Sequence, residues 1–213
     1  MRWVASIETI SGRRAGSLAH AVEEPESFYD YRPKLMDLRY EPRVERLVVS
    51  PPTELPKLEV HRSRSPNRLE LGTTWHALHY LMTGFSRVEG SPLSFLLYGG
   101  ARIEPEEDLE DGGVFSVAHC SLIAKALAGL SEDDIRRRFD PVRMVEAEIY
   151  GLLFRPAYAR GCVIDVARWA DWYARLYSEL RGLLMSASGR RGLLCIIWER
   201  EGGADEEVFA AVR

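Results

Sequence analysis

Two of the five histidines, His76 and His79, stand three residues apart in Trp75-His-Ala-Leu-His79, a spacing that brings two side chains together on one side of a helix. Such a pair can share a metal ion, as histidine and carboxylate ligands do inside helical bundles. Zinc, however, needs at least three protein ligands, and His20, His61 and His119 supply neither an H-E-x-x-H nor a second close pair. No metal and no cofactor is therefore expected. Metal-free chemistry would need a partner for an imidazole, and Asp140, Glu148 and Tyr150 lie together in one later segment from which a carboxylate can approach. The candidate ligand-binding residues are accordingly Trp75, His76, His79, Asp140, Glu148 and Tyr150, with no residue assigned a catalytic role. The plainer reading starts from the apolar stripe Trp75, Leu78, His79 and Met82. On it His79 is expected to be buried, hydrogen-bonded and uncharged, while His76 falls off the stripe and is expected in solvent.

The other reactive residue types form weaker patterns. Glu104 to Gly113 holds six carboxylates in ten positions but lacks the D-x-D-x-D-G register of a calcium loop, so it reads as a solvated loop. Cys120, Cys162 and Cys195 are odd in number, have no C-x-x-C spacing and sit among apolar neighbours, as buried reduced thiols do. No G-x-S-x-G, P-loop or G-x-G-x-x-G occurs. The basic clusters, Arg136-Arg137-Arg138 and the Arg62, Arg64, Arg68 stretch, do not interleave aromatics, and with a net charge of −4 no nucleic-acid partner is expected. Only Lys34, Lys57 and Lys125 are lysines, an arginine bias of the kind a GC-rich bacterial genome produces.

Helix punctuation sets the elements that must position these residues. Thr73 or Thr74 offers a cap for a helix from Trp75 to Met82 that stops at Gly84. Pro92 opens a short helix ended by Gly99-Gly100, and Ser116 caps another that runs to Gly129. Ser131-Glu-Asp-Asp134 reads as a capping box with Asp in place of Glu, leading into Ile135 to Phe139, and Asp140-Pro141 restarts a helix through Glu148. The last long helix, about Val166 to Ser186, carries Trp169, Trp172, Tyr173, Leu176, Leu180, Leu183 and Leu184 at helical spacing, with Arg168, Asp171 and Arg175 opposite. The apolar run Gly192 to Trp198 reads as a buried strand.

With 213 residues, 46% of them hydrophobic and 28% charged, the chain fits a single globular domain, 1–213. Seven of its 11 prolines fall before Arg68, so residues 1–68 are expected to be a loop-rich, irregular extension with short extended pieces such as Val44 to Val49. Residues 69–198 form the regular body and 199–213 a polar tail. No apolar run approaches the roughly 18–20 residues of a membrane span, and the first residues lack a signal-peptide core. A cytoplasmic location without membrane attachment is expected.

Leu69-Glu-Leu-Gly-Thr-Thr-Trp-His-Ala-Leu-His-Tyr-Leu-Met-Thr-Gly84 resembles the first block of the bacterial YfbM-type family, a domain of unknown function. Further blocks follow in order: Ser91 to Gly100, Ile135 to Met144 with Glu148-Ile-Tyr150, and Gly192 to Trp198. Where the family commonly has proline after Ile-Tyr, this chain has Gly151. The resemblance, over about Leu69 to Trp198, implies an α+β fold of mostly helices packed on a small sheet and a bacterial cytoplasmic protein. It implies no activity. The matched positions are mainly Trp, Leu, Gly, Pro and Phe, which specify folds rather than reactions. The functional expectation is therefore a non-catalytic binding or protein-interaction module, with a protein as its partner and the oligomeric state open. The alternative is an enzyme whose pocket lies between the Trp75/His79 helix and the Asp140 to Tyr150 segment.

Overall fold

Two nine-residue strands, β1 (Arg2–Ile10) and β5 (Leu193–Glu201), pair antiparallel along their whole length in the middle of a sheet. The structure, a computed structural model, describes residues 2–10, 67–98, 100–102, 112–152, 164–189 and 193–201. Three shorter strands complete the sheet: β2 (Arg68–Gly72), β3 (Ala101–Arg102) and β4 (Gly112–Phe115). The order is β2-β1-β5-β4-β3, with every pairing antiparallel. In β2, Leu69 and Leu71 are buried while Arg68, Glu70 and Gly72 are not, the period of two expected of a strand with one face on a core.

Six α-helices lie among the described residues. They are α1 (Trp75–Thr83), α2 (Phe95–Tyr98, entered through a 3-10 turn at Pro92–Ser94), α3 (Val117–Ala128), α4 (Glu132–Arg138), α5 (Pro141–Glu146) and α6 (Val166–Gly189). Ser116 accepts the His119 N–H at 3.2 Å to start α3, and Ser131 and Asp134 form the reciprocal capping box that starts α4. α6 packs against α3 and α4 and reaches β1, β2 and β5. Its Tyr173, Tyr177, Leu180 and Leu184 are fully buried, each contributing roughly 1.5–3 kcal/mol by leaving water. The Tyr177 hydroxyl lies 2.7 Å from the Leu127 carbonyl and 3.0 Å from that of Leu130, so it serves the end of α3, where helical carbonyls lack partners.

The fold is thus α+β, mostly helical on one sheet. Several boundaries differ from the sequence expectation. β1, inside the proline-rich N-terminal part, is a long strand bonded on both sides. The end of the chain read as a tail from residue 199 begins later, because Glu199, Arg200 and Glu201 pair with Val4, Trp3 and Arg2. Backbone pairing extends the strand past the last apolar residue, and residues 202–213 lie outside the described residues. α6 likewise runs to Gly189, one turn beyond Ser186. The Glu104 to Asp111 run, the Arg62/Arg64 stretch and Cys162 also lie outside the described residues. Among the described residues, no helix is long and apolar enough to cross a membrane.

Candidate functional site

The candidate residues are arranged around the start of α1. Trp75, His79 and Met82 are buried on its inner face, and the helix stops at Gly84, which takes a left-handed φ of 85° and donates its N–H to Tyr80 at 2.7 Å. Neither threonine expected as the N-terminal cap bonds a helical N–H. Thr74 instead donates its hydroxyl to the Leu71 carbonyl at 2.5 Å, and Thr73 donates to the Gly151 carbonyl at 3.4 Å. The side chains that would have capped α1 therefore tie it to the end of β2 and to a distant turn.

That turn is Ile149–Gly151, and His76 holds it. The Tyr150 N–H donates to His76 Nδ1 at 2.9 Å, and His76 Nε2 lies 2.8 Å from the Ser86 carbonyl. A carbonyl only accepts and a backbone N–H only donates, so the two partners assign the tautomer: Nε2 carries the proton and Nδ1 is bare. The stripe pattern puts His76 in solvent; it is instead half-buried, with both ring nitrogens engaged by backbone. Its ring stacks on Trp75 at 5.3 Å between centroids, and Tyr150 packs against the same indole at 5.7 Å. Burial lowers the His76 pKa below its ordinary value, opposed by the Ser86 carbonyl.

His79 is fully buried, 6.3 Å from His76 between ring centroids. Its Nε2 lies 3.2 Å from the Arg87 carbonyl and so bears the proton. Thr83, four residues on, donates to the His79 backbone carbonyl at 2.9 Å. Burial pushes the His79 pKa down to about 4, with the Arg87 carbonyl opposing and the neighbouring His76 adding to the fall. Nδ1 of His79 is buried without a hydrogen-bond partner among the described residues. Both rings are therefore neutral donors near neutral pH, and together they fasten the Ser86–Arg87 carbonyls and the Tyr150 turn to one helix.

The carboxylates do not join them. Asp140 caps α5, accepting from Val142 and Arg143 N–H at 3.0 and 3.1 Å and pairing with the Arg143 guanidinium at 3.4 Å. Glu148 is exposed at the end of α5. The structure thus gathers Trp75, His76, His79 and Tyr150, and places Asp140 and Glu148 in capping and turn positions without a bond to either imidazole. Among the described residues there is no group of three or more His, Cys, Asp or Glu arranged to hold a metal ion.

Sequence reasoning named Thr73 only as a cap and Gly151 only as a departure from the family pattern, and placed neither of them, nor Thr83, at the site. Thr83 has a signal, since a threonine four residues after another helical residue commonly donates back to its carbonyl. Gly151 has one too. It takes a φ of 69°, and a Cβ there would run into the Thr73 carbonyl and lie 2.7 Å from Thr73 Cβ. A proline here, with its φ locked near −65°, could not adopt this turn. The Ser86 and Arg87 carbonyls leave no trace in sequence, because any residue provides one.

The basic cluster is also engaged within the protein. Arg136 bonds Glu132, Asp133 and Asp171 at 3.0, 2.8 and 2.7 Å, and Arg137 pairs with Asp134. Arg138 donates to the Leu81 and Met82 carbonyls at 3.0 and 2.5 Å, closing the end of α1.

A helical layer on an antiparallel sheet, with a backbone-bonded histidine pair in its first helix, defines an architecture without an assigned reaction. By its match over residues 18–160, the chain belongs to the family described as Domain of unknown function (DUF1877). The match takes in residues 18–68, ahead of the first block recognised in sequence, and ends before α6. Among solved structures, the chain is similar to "The Crystal Structure of a Protein of Unknown Function YfbM from Escherichia coli", with a TM-score of 0.50 and 17% identity over 92% of this chain and 99% of that one. At that identity the likeness is one of fold. No curated protein matches.

Proposed function

We propose that this chain is a non-catalytic binding module of the bacterial cytoplasm whose partner is a protein. The observation that carries this reading is that His76 has both ring nitrogens bonded to backbone atoms, at 2.8 and 2.9 Å, so the most reactive-looking motif holds the fold together. Asp140 and the Arg136–Arg138 run have the same character, each bonded within the protein. The surface then remains as the functional element. On it, Leu122 of α3 and Met185 of α6 are large apolar side chains left nearly half exposed. Their helices run antiparallel, with Ser121 3.4 Å from Ser188 at one end and Tyr177 bonded to Leu127 nearer the other.

The test is site-specific photocrosslinking from positions 122 and 185 in the native host, followed by the purified pair. One protein crosslinked from both positions, and binding the purified chain at least tenfold more weakly after Leu122→Glu, is the expected result. Turnover of a small-molecule substrate by the purified chain, abolished by His79→Gln without loss of fold, would replace this reading with the enzyme alternative.

A further inference from the structure

Two neighbouring residues of α6 bury hydrogen-bond donors for which the described residues offer no acceptor: the Trp172 indole N–H and the Tyr173 hydroxyl. Tyr177, one turn further along the same helix, shows the ordinary solution, its hydroxyl lying 2.7 Å from the Leu127 carbonyl and 3.0 Å from that of Leu130. A buried donor left unserved costs more than one net hydrogen bond returns. Such groups are few in folded proteins, and ordered water or a bound molecule commonly serves them. We propose that the Trp172–Tyr173 corner of α6 is a binding site for an uncharged oxygen acceptor, either a water or the carbonyl of a small molecule. The two donors belong to one site, since their rings meet edge to face with centroids 4.8 Å apart at 88°.

The surroundings set the class of ligand. Tyr173 is fully buried, its ring tilted against Phe139 at 5.5 Å and against Trp169 at 6.3 Å. Burial raises the phenol pKa, so the hydroxyl keeps its proton and has it to donate. An indole nitrogen can only donate. Two neutral donors among aromatic rings therefore call for an acceptor. An anion is disfavoured, because it would lose its hydration without gaining a cation: Arg136, which reaches α6 from α4, is already bonded to Glu132, Asp133 and Asp171. Trp172 is only partly buried as a residue while its nitrogen is covered, which puts the site one side chain beneath the surface. Such a site does not depend on what Leu122 and Met185 meet.

The experiment uses the purified full chain. Cross-relaxation NMR reads magnetisation transfer from water to the Trp172 indole proton and to the Tyr173 ring protons beside the hydroxyl. Native mass spectrometry, run before and after unfolding, reads any small molecule retained by the fold. The expected result is one acceptor sensed by both side chains. A long-lived water seen from both identifies it as solvent, whereas a neutral molecule released on unfolding, whose readdition shifts both sets of protons, identifies it as a ligand carbonyl. Tyr173→Phe keeps the ring and removes only the donor. With the acceptor in place this variant should lower the folding equilibrium constant about fivefold, the size of one net hydrogen bond, whereas an unserved hydroxyl would make its removal a gain. Three outcomes overturn the proposal: neither a long-lived water nor a retained molecule, an acceptor sensed by only one of the two side chains, or Tyr173→Phe folding at least as stably as the unaltered chain.

Discussion

The start of α1 and the exposed face of α4 are both dense in polar side chains, yet they are built on opposite terms. Around α1 the groups are neutral, largely buried and bonded to backbone atoms far away in sequence, as His76 is to Tyr150. On α4 they are charged, substantially exposed and bonded mostly to each other across three or four residues, as Arg136 is to Glu132 and Asp133. A buried network that loses one member leaves the rest unsatisfied out of reach of water, whereas an exposed one is repaired by solvent. The region with fewer charges should therefore be the more sensitive. Arg138 connects the two, since it reaches from α4 to the carbonyls that end α1.

The largest effect of a single substitution should come from Gly151→Ala. A Cβ there meets Thr73 backbone in a left-handed conformation, so the turn must either strain or detach from His76. Loss of about 3 kcal/mol in urea unfolding is expected, a size reserved for backbone clashes and core cavities. A loss below about 0.5 kcal/mol, typical of surface changes, would mean that the turn is not held as described and would remove the contrast between the regions.

Next comes the acid dependence of the buried pair. His79 has its folded pKa depressed to about 4 against an ordinary histidine value of 6.5, so the unfolded chain binds a proton that the folded one refuses. This site's contribution is intact above about 6.5 and is lost as the pH falls toward about 4, amounting to roughly 2–4 kcal/mol over that window. His79→Gln keeps a donor and cannot titrate, so its stability curve should be flatter through the same window. A parallel curve for the variant would place the acid sensitivity elsewhere.

On α4 the effects should be smaller. Ser131→Ala removes the cap of the capping box and should cost about 1 kcal/mol. Asp171→Ala removes the 2.7 Å partner of Arg136 at a half-exposed position and should cost no more than about 0.5 kcal/mol, less still in high salt. Equal losses from Asp171→Ala and Gly151→Ala would break the comparison outright.

How far each region is legible in sequence follows the same division. The capping box at Ser131 and Asp134, the Asp140-Pro141 restart and the stop at Gly84 involve bonds between residues two to four apart, where side-chain chemistry and spacing suffice. The apolar stripe of α1 places His79 inside. It misplaces His76, whose burial comes from a turn 74 residues later and from Ser86, which contributes only a carbonyl. β1 escapes for a related reason: Trp3-Val-Ala-Ser-Ile7 is short in alternation, and its strand character comes from pairing with β2, some 60 residues on, and with β5 near the other end of the sequence. The grouping of Asp140 and Glu148 with the histidines rests on their nearness to Tyr150 in sequence, whereas in the fold Asp140 is taken up in capping α5 and Glu148 is exposed at its end.

One further effect has the opposite sign and lies between the regions, at Glu148. α5 ends at Ala147; the Glu148 N–H then bonds the Val145 carbonyl at 3.1 Å and the Ile149 N–H bonds the Met144 carbonyl at 3.2 Å. This is the Schellman arrangement, which requires a left-handed residue at the position Glu148 occupies, with φ at 54°. Glycine adopts that conformation freely, whereas an L side chain there costs roughly 1 kcal/mol. The carboxylate is exposed and bonded to neither imidazole, so its removal should leave the histidine network intact. Glu148→Gly should therefore raise stability by about 0.5–1 kcal/mol, seen as a higher urea midpoint at unchanged slope. Glu148→Ala, which removes the same carboxylate but keeps the Cβ, should give no such gain. If both variants were destabilised alike, the carboxylate itself would be a working part of the turn that carries Tyr150 to His76, and the charged and neutral regions would be joined where they are here held to be separate.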